Sequence, residues 1–365
     1  MTSHTGFPAR RRPARRIRVG DVPVGGGAPI SVQTMTKTDT RDVKATVRQI
    51  QEAEDAGCDI IRVAVPDEDS CKVLGEITQK SPIPIVADVH FDYRLAVKSA
   101  EAGAAALRLN PGNIGKREDI RKITSTAAER GIPIRIGVNS GSLQKDIAAS
   151  HGGTTAEALV ESALRNVKIL EDLSFDLIKI SVKASDVART VTAYRLLSDR
   201  VDYPLHLGVT EAGTFLRGTV ASSTAMGILL AEGIGDTIRI SLTDSPAREV
   251  AAAVELLRCL GLRAEGPSVI SCPTCGRAKV DVQSAASGIE RELSKYYRAN
   301  PTKPRPRVAV MGCVVNGPGE AKEADIGLAG GEGKFALFVN GKACGAVSEA
   351  EAAEEVVRRV RKWRP

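Results

Sequence analysis

Ile132-Pro133-Ile134-Arg135-Ile136-Gly137-Val138-Asn139 and Asp176-Leu177-Ile178-Lys179-Ile180-Ser181-Val182-Lys183 are the stretches whose reading decides the fold. Each is a short, β-rich apolar run with polar residues at its end, the pattern of a strand covered on its outer face. Working outward, the same theme recurs at Pro29 to Met35, Asp59 to Val65, Ile83 to His90, Ala106 to Asn110, Pro204 to Glu211 and Thr237 to Leu242. Amphipathic stretches separate the runs. The first carries Val43, Val47 and Ile50 at helical spacing and stops at Gly57, a residue that adopts the left-handed conformation that ends a helix. About eight strand-helix units in roughly 240 residues fit a closed (β/α)8 barrel, whereas a doubly wound open sheet normally needs fewer strands. The expected architecture is α/β: a basic, disordered arm over residues 1–18, a TIM-type barrel over 19–265 and a small α+β domain over 266–365.

In such a barrel the carboxyl mouth carries the functional residues. Here the late strand positions are polar: Arg62, Asp88, His90, Arg108, Asn110, Arg135, Asn139, Lys183, Thr210, Glu211, Arg239 and Ser241. Basic residues on several strands, with too few acids to pair them, indicate an anionic ligand of more than one charge, and a diphosphate is the economical choice. A salt-bridged barrel interior is the structural alternative, but burying so many unbalanced cations without a ligand is costly. Other phosphate devices are lacking. Gly330-Gly331-Glu332-Gly333-Lys334 does not have Walker spacing, and no G-x-G-x-x-G stands between a strand and a helix. Redox chemistry in this chain therefore requires electrons from another protein.

The barrel pattern breaks near Gly261 to Pro267, and a cysteine motif follows: Ser271-Cys272-Pro273-Thr274-Cys275-Gly276, answered by Met311-Gly312-Cys313-Val314-Val315-Asn316-Gly317-Pro318-Gly319-Glu320. Two thiolates in C-x-x-C spacing and a third on a glycine-rich turn make a metal site. Spacing alone leaves two readings open: a zinc knuckle closed by Cys344, or an iron-sulfur cluster with one non-cysteine ligand. The domain around it reads as strand, cysteine turn, helix over Val280 to Tyr297, strand over Arg307 to Met311, and strands near Lys334 to Asn340 and Ala343 to Val347. A last helix opens with a Ser348–Glu351 capping box.

The chain has seven cysteines, and Cys58, Cys71 and Cys259 fall in apolar patterns that suit inert, buried thiols. Unpaired cysteines without a secretory signal indicate a reducing cytoplasm, and no apolar run reaches the length of a membrane span. The formal charge of +7 is a property of the arm, where Arg10, Arg11, Arg12, Arg15, Arg16 and Arg18 precede any acid. That arm reads as a solvated extension. With 3% aromatic residues the chain offers few stacking platforms for nucleic acid.

Several stretches together resemble a known family: Val24 to Thr36 (V-G-G-G-A-P-I-S-V-Q-T-M-T), Ala87-Asp88-Val89-His90-Phe91, Leu109 to Gly115 (L-N-P-G-N-I-G), Ile136 to Leu143 (I-G-V-N-S-G-S-L), S-C-P-T-C-G-R and G-C-V-V-N-G-P-G-E-A. The chain is similar from about residue 17 onward to the bacterial 4-hydroxy-3-methylbut-2-enyl diphosphate synthases, in their two-domain form without the large plant-type insertion. The resemblance implies a 4Fe-4S cluster held by Cys272, Cys275 and Cys313 with Glu320 as an exchangeable fourth ligand, leaving Cys344 structural. It implies reductive ring opening and dehydration of 2-C-methyl-D-erythritol 2,4-cyclodiphosphate, fed by a flavodoxin- or ferredoxin-type donor, in a homodimer where one subunit's cluster domain caps the other's barrel. On matching positions Arg108, Arg135, Lys183, Thr210, Arg239 and Ser241 hold the diphosphate, and Arg62 is a further substrate-binding residue. Asp88, His90, Asn110 and Asn139 position the carbons, and Glu211 serves proton transfer. Two rivals make different predictions: a zinc-stabilised lyase or aldolase using Lys183 as a Schiff-base amine, and an RNA-binding protein using the arginine arm.

Overall fold

The computed structural model describes residues 10–263, 266–300 and 302–364. The chain separates into two compact units, Met1–Arg263 and Ala264–Pro365. Residues 1–9 of the expected arm and the expected boundary residue, Glu265, lie outside the described residues.

The first unit is built on eight parallel strands: β1 (Ser31–Met35), β2 (Ile60–Ala64), β3 (Ile85–Asp88), β4 (Ala106–Leu109), β5 (Ile134–Asn139), β6 (Ile178–Lys183), β7 (His206–Leu207) and β8 (Thr237–Ile238). Neighbours pair in chain order from β1 to β6, while β8 joins β1 to β7. The ends of that order, β6 and β7, meet through a parallel bridge between Ile180 and Leu205, and Ile180 N–H donates to Pro204 O at 3.0 Å. The sheet is thus a barrel and not an open sheet, as its sequence pattern implies.

The strand alternation explains why these residues close. Ile134, Ile136, Val138, Ile178, Ile180, Val182, Leu205, Leu207 and Val209 are essentially inaccessible and share one core with the helices outside. Each such side chain contributes about 1.5–3 kcal/mol on burial. The intervening positions face the lumen, where Arg135, Asn139, Lys179, Lys183 and His206 stand in place of the usual Val, Ile and Leu. The amino end is sealed by apolar packing. A hairpin of Ile17–Val19 with Val22–Val24 brings Ile17, Val19 and Val24 against Ile60, Val86 and Ala106.

Residues 10–18 correct the expectation of a solvated arm. Arg11 ion-pairs with Asp236 at 2.8 Å, donates to Gly235 O at 3.1 Å and also reaches Ala28 O. Arg12 donates to Val201 O and Tyr203 O at 2.5 and 2.6 Å, and Arg15 pairs with Asp202 at 2.9 Å while lying 4.4 Å over the Tyr203 ring. Gly233 admits this strap, since a Cβ there would stand 2.4 Å from Arg10 O. The physical reason is acceptor supply: exposed strand-end carbonyls and two carboxylates meet guanidiniums that composition counts only as charge. Arg11→Ala takes the ion-pair partner from the nearly inaccessible Asp236 and leaves it the Leu205 N–H, so a loss of about 2–4 kcal/mol and a fall of roughly 5–10 °C in the barrel's thermal midpoint are expected. An unchanged midpoint in a calorimetric scan would remove the strap from the fold's support.

The second unit is a five-stranded sheet in chain order. It comprises β9 (Ser268–Ser271), β10 (Arg307–Met311), β11 (Ile326–Gly330), β12 (Lys334–Val339) and β13 (Lys342–Ser348). The first three strands are parallel and the last two run antiparallel to their neighbours. Helices Val282–Ala299 and Ala352–Lys362 cover one face with Ile289, Leu293, Val356 and Val360, packed on Val308, Val310, Leu328 and Phe335. Strand β11 and helix Gly317–Glu323 are additions to the sequence reading. Gly327 hides the strand because the helix lies against it: a Cβ there would stand 2.1 Å from Ala321 O. Ser348 Oγ donates to Glu351 at 2.5 Å, yet Ser348 ends β13 and Glu351 is the N-cap, so the last helix begins later than the capping box implies. Cys58 and Cys71 are buried as expected, but Cys259 is exposed at the end of its helix. No helix among the described residues is long and apolar enough to cross a membrane.

Candidate functional site

The barrel lumen gathers a ring of cations, from Arg135 at the second residue of β5 to Lys183 at the last of β6. Arg62 on β2, Arg108 on β4, Arg135 on β5, Lys183 on β6 and Arg239 beyond β8 interact electrostatically with one another. Asp88 on β3 is their central carboxylate, 3.1 Å from Arg108 Nη1 and 3.7 Å from Arg62 Nε. Arg108 also contacts His90 Nε2 at 2.9 Å and donates to Gly137 O at 3.2 Å. Two glycines make the crowding feasible. A Cβ on Gly137 would meet Arg108 Nε at 2.6 Å, and one on Gly208 would meet Lys183 Nζ at 2.7 Å.

A second carboxylate was missed by the sequence reading. Glu249, on helix Pro246–Cys259, is 1% exposed and accepts from Thr34 Oγ1 at 2.6 Å, Leu242 N–H at 2.9 Å and Lys37 Nζ at 2.9 Å, with Arg239 Nη2 at 3.4 Å. Its signal was present: Glu249 shares the buried helix face of Val250, Ala253 and Leu257. Two carboxylates do not neutralise the ring. Burial, with the neighbouring arginines, brings Arg62 down to about 10 and holds Arg135 and Lys183 well below their usual ranges. Burial alone would raise Asp88, but Arg62, His90 and Arg108 outweigh it and keep the carboxyl well below the ordinary range. Nε atoms of Arg108, Arg135 and Arg239 and Oδ1 of Asn110 are buried without a hydrogen-bond partner among the described residues. The mouth is therefore matched to a multiply charged anion that brings acceptors.

The remaining predicted residues surround this ring by sequence position on the same strand ends. Asn139 ends β5, Thr210 lies beyond β7 with its N–H on Ala184 O at 3.0 Å, and Ser241 follows Arg239 by two. Glu211 is exposed and held at φ 53°, a left-handed conformation that costs a non-glycine residue about 1–2 kcal/mol. Lys179, His206 and Gln33 lie deeper in the lumen, buried and with unpartnered polar atoms, and the sequence reading had passed over them.

In the second unit, Cys272 and Cys313 follow the parallel neighbours β9 and β10. Cys272 N–H donates to Val310 O at 3.0 Å, and Thr274, at φ 63°, turns its N–H back to Cys272 Sγ at 3.3 Å. Cys275 is exposed and its carbonyl accepts from Ala278 N–H at 2.9 Å. Gly312 packs tightly behind the first turn, since a Cβ there would stand 2.8 Å from Val282 Cγ2 and 3.2 Å from Ala278 Cβ, with Cys272 Sγ in ordinary contact at 3.5 Å. Backbone N–H groups of Val315, Asn316 and Gly317 lower the Cys313 thiol, favouring its metal-binding thiolate form. Glu320 lies in the first turn of the next short helix and is exposed. Cys344 is on β13, three strand spacings or about 14 Å across the sheet from β10. Among the described residues no three His, Cys, Asp or Glu side chains close around a single metal ion. Three thiols on two adjacent turns, with a carboxylate seven residues after the third, are the donor chemistry of a sulfur-ligated cluster.

Fold and site together define a (β/α)8 barrel protein with a cation-rich lumen and a separate cysteine-turn module. More particularly, the chain belongs to the GcpE family: the GcpE TIM-barrel domain matches residues 14–254 and the GcpE protein C-terminal domain matches residues 268–362. Curated relatives include the 4-hydroxy-3-methylbut-2-en-1-yl diphosphate synthase (flavodoxin) of Geobacter sulfurreducens, 55% identical over 95% of this chain and 97% of its own. That of Thermodesulfovibrio yellowstonii is 53% identical over 97% and 99%. Among solved structures, a Yersinia pestis dihydropteroate synthase aligns with 67% of this chain and 97% of its own at a TM-score of 0.47 and 12% identity.

Proposed function

We propose that the chain is an iron-sulfur oxidoreductase of non-mevalonate isoprenoid biosynthesis. It converts 2-C-methyl-D-erythritol 2,4-cyclodiphosphate to 4-hydroxy-3-methylbut-2-enyl diphosphate by two-electron reduction, ring opening and loss of water. The observation that carries this reading is the under-neutralised ring of Arg62, Arg108, Arg135, Lys183 and Arg239 around Asp88.

The ring, with Thr210 and Ser241, binds the diphosphate. Because its cations are fixed on strands, they meet the charge that grows on a phosphate oxygen as the ring C–O bond breaks, without reorganising first. Asp88 holds Arg62 and Arg108 in place. Asn110, with a buried unpartnered Oδ1, accepts from a substrate hydroxyl, and His90 and Asn139 complete the seat for the carbon skeleton. Glu211 gives a proton to the leaving hydroxyl from its carboxyl oxygen. Cys272, Cys275 and Cys313, with Glu320, hold a 4Fe-4S cluster. When bound, such a cluster supplies electrons and a Lewis-acidic iron. Residues 266–365 form the cluster domain and residues 19–265 the substrate barrel. A flavodoxin, the protein named in the relatives' names, would be the electron donor. The working form is a homodimer, and seven free cysteines suit a reducing cytoplasm.

The test is metal and sulfide content of anaerobically purified protein, followed by turnover of the cyclodiphosphate with a reduced donor. About four irons and four sulfides per chain are expected. Stoichiometric zinc without sulfide sinks the redox reading. Glu320→Gln, on an exposed residue outside both apolar cores, is expected to keep the fold while cutting cluster retention or turnover by about 10–100-fold. Full activity in that variant takes Glu320 out of the mechanism.

A further inference from the structure

Lys179 has no part in the mechanism above, yet it is placed as if the mouth needed it. It lies on β6, in register with Arg135 of β5 and on the same face of the strand as Lys183. It is 1% exposed, and its Nζ has no hydrogen-bond partner among the described residues. The charged and titratable groups facing it are Arg135 from β5, His206 from β7 and Asp236 from the turn before β8. Asp236 is already committed, accepting from Arg11 Nη2 at 2.8 Å and from Leu205 N–H at 2.9 Å. A buried amine beside a buried guanidinium, without a carboxylate of its own, is held away from its charged form.

We propose that Lys179 is the proton-accepting counter-charge of the anion site, losing its proton in the ligand-free barrel as pH rises past neutrality and holding it when the diphosphate occupies the mouth. The proton comes from bulk water and returns there when the product leaves. Burial and Arg135 bring this lysine down to about 7, close enough to working pH for an incoming anion to decide its state. Bound phosphate oxygens reverse the sign of the local field and raise it again. The linkage follows: ligand binds the protonated form better, so affinity falls as pH rises above about 7, by up to tenfold per pH unit for one linked proton. Lys183, also depressed, takes up protons alongside it, so the signature of Lys179 is a difference between proteins and not a total.

This rests on the mouth being the diphosphate site, and the experiment separates the two. Inorganic diphosphate is titrated calorimetrically into the full chain at pH 8 in two buffers of different ionisation enthalpy, which counts protons taken up per ligand bound. Lys179→Met, which keeps the length of the stem, is expected to take up about half to one proton fewer than wild type. It should bind about tenfold more weakly at pH 7, with the gap closing toward pH 9. Lys179→Gln should behave alike and serves if the methionine variant does not fold. Equal proton uptake in wild type and variant, or an affinity ratio that does not change with pH, overturns the assignment of Lys179 alone. Wild-type protein that does not bind diphosphate at all overturns the mouth assignment and the proposal with it.

Discussion

Arg135→Met lowers kcat/KM for the cyclodiphosphate about a hundredfold or more while raising the thermal midpoint of the ligand-free chain. Both signs come from one fact. Arg135 is 2% exposed, its Nε is unpartnered among the described residues, and its neighbours Arg62 and Arg108 are also cations. Without ligand, the folded barrel bears the desolvation of this charge and its repulsion. An apolar side chain of similar length returns part of that cost, about 1–3 kcal/mol. With ligand, the same guanidinium is one of the groups that neutralise the diphosphate, and losing a buried charged partner costs about 2–5 kcal/mol. Initial-rate kinetics and a calorimetric scan on the same preparation check both. A variant with a lower midpoint and unimpaired kcat/KM would show that Arg135 supports the fold and not the ligand.

Cys313→Ser is expected to bring bound iron and sulfide below about a tenth of the wild-type content and turnover down at least as far. The serine hydroxyl has no anionic form near neutral pH to replace the thiolate that Val315, Asn316 and Gly317 N–H groups favour. The sheet should persist, because its core is drawn from Val308, Val310, Leu328 and Phe335 and not from the cysteine turns. Cys344→Ser is the internal control. It lies on the far edge strand, and its iron content should match wild type. Equal iron loss in both variants would return Cys344 to the ligand set.

The barrel was legible because its strands are buried on their outer faces. Runs such as Ile134, Ile136, Val138 and Ile178, Ile180, Val182 announce themselves as apolar however the lumen is filled. The mouth was legible for the opposite reason, since Arg62, Arg108 and Arg239 have no business on strand ends unless something anionic meets them. What the linear pattern did not reveal were relations between distant residues: Asp88 shared by Arg62 and Arg108, and Glu249 collecting Thr34, Lys37 and Arg239. Lys179 was passed over because only the late strand positions were read as functional, and it is the second residue of its strand. Strand β11 was lost for a steric reason, since Gly327 marks contact with the helix at Ala321 and Gly330 contact with Val280 and Gly312, and neither marks a turn. Roles at the cluster turns came from family resemblance. The structure contributes there the adjacency of Cys272 and Cys313 across β9 and β10 and the distance of Cys344.

The strap formed by Arg11 and Arg12 also bears on how the chain is made. Arg11 leaves the ribosome early, but its carboxylate partner is 225 residues further on. At about 5–20 residues per second that partner is roughly 10–50 s behind in synthesis. Until Asp236 arrives Arg11 has no carboxylate to hold, although Arg12 and Arg15 find Val201, Asp202 and Tyr203 some thirty residues sooner, and contacts of such long separation form late. The strap is thus a closing latch: it can fasten fully only on a barrel whose last strand is already in place. An affinity tag or fusion partner joined at this end weighs on the final step of assembly, whereas one joined after the last helix leaves that step untouched.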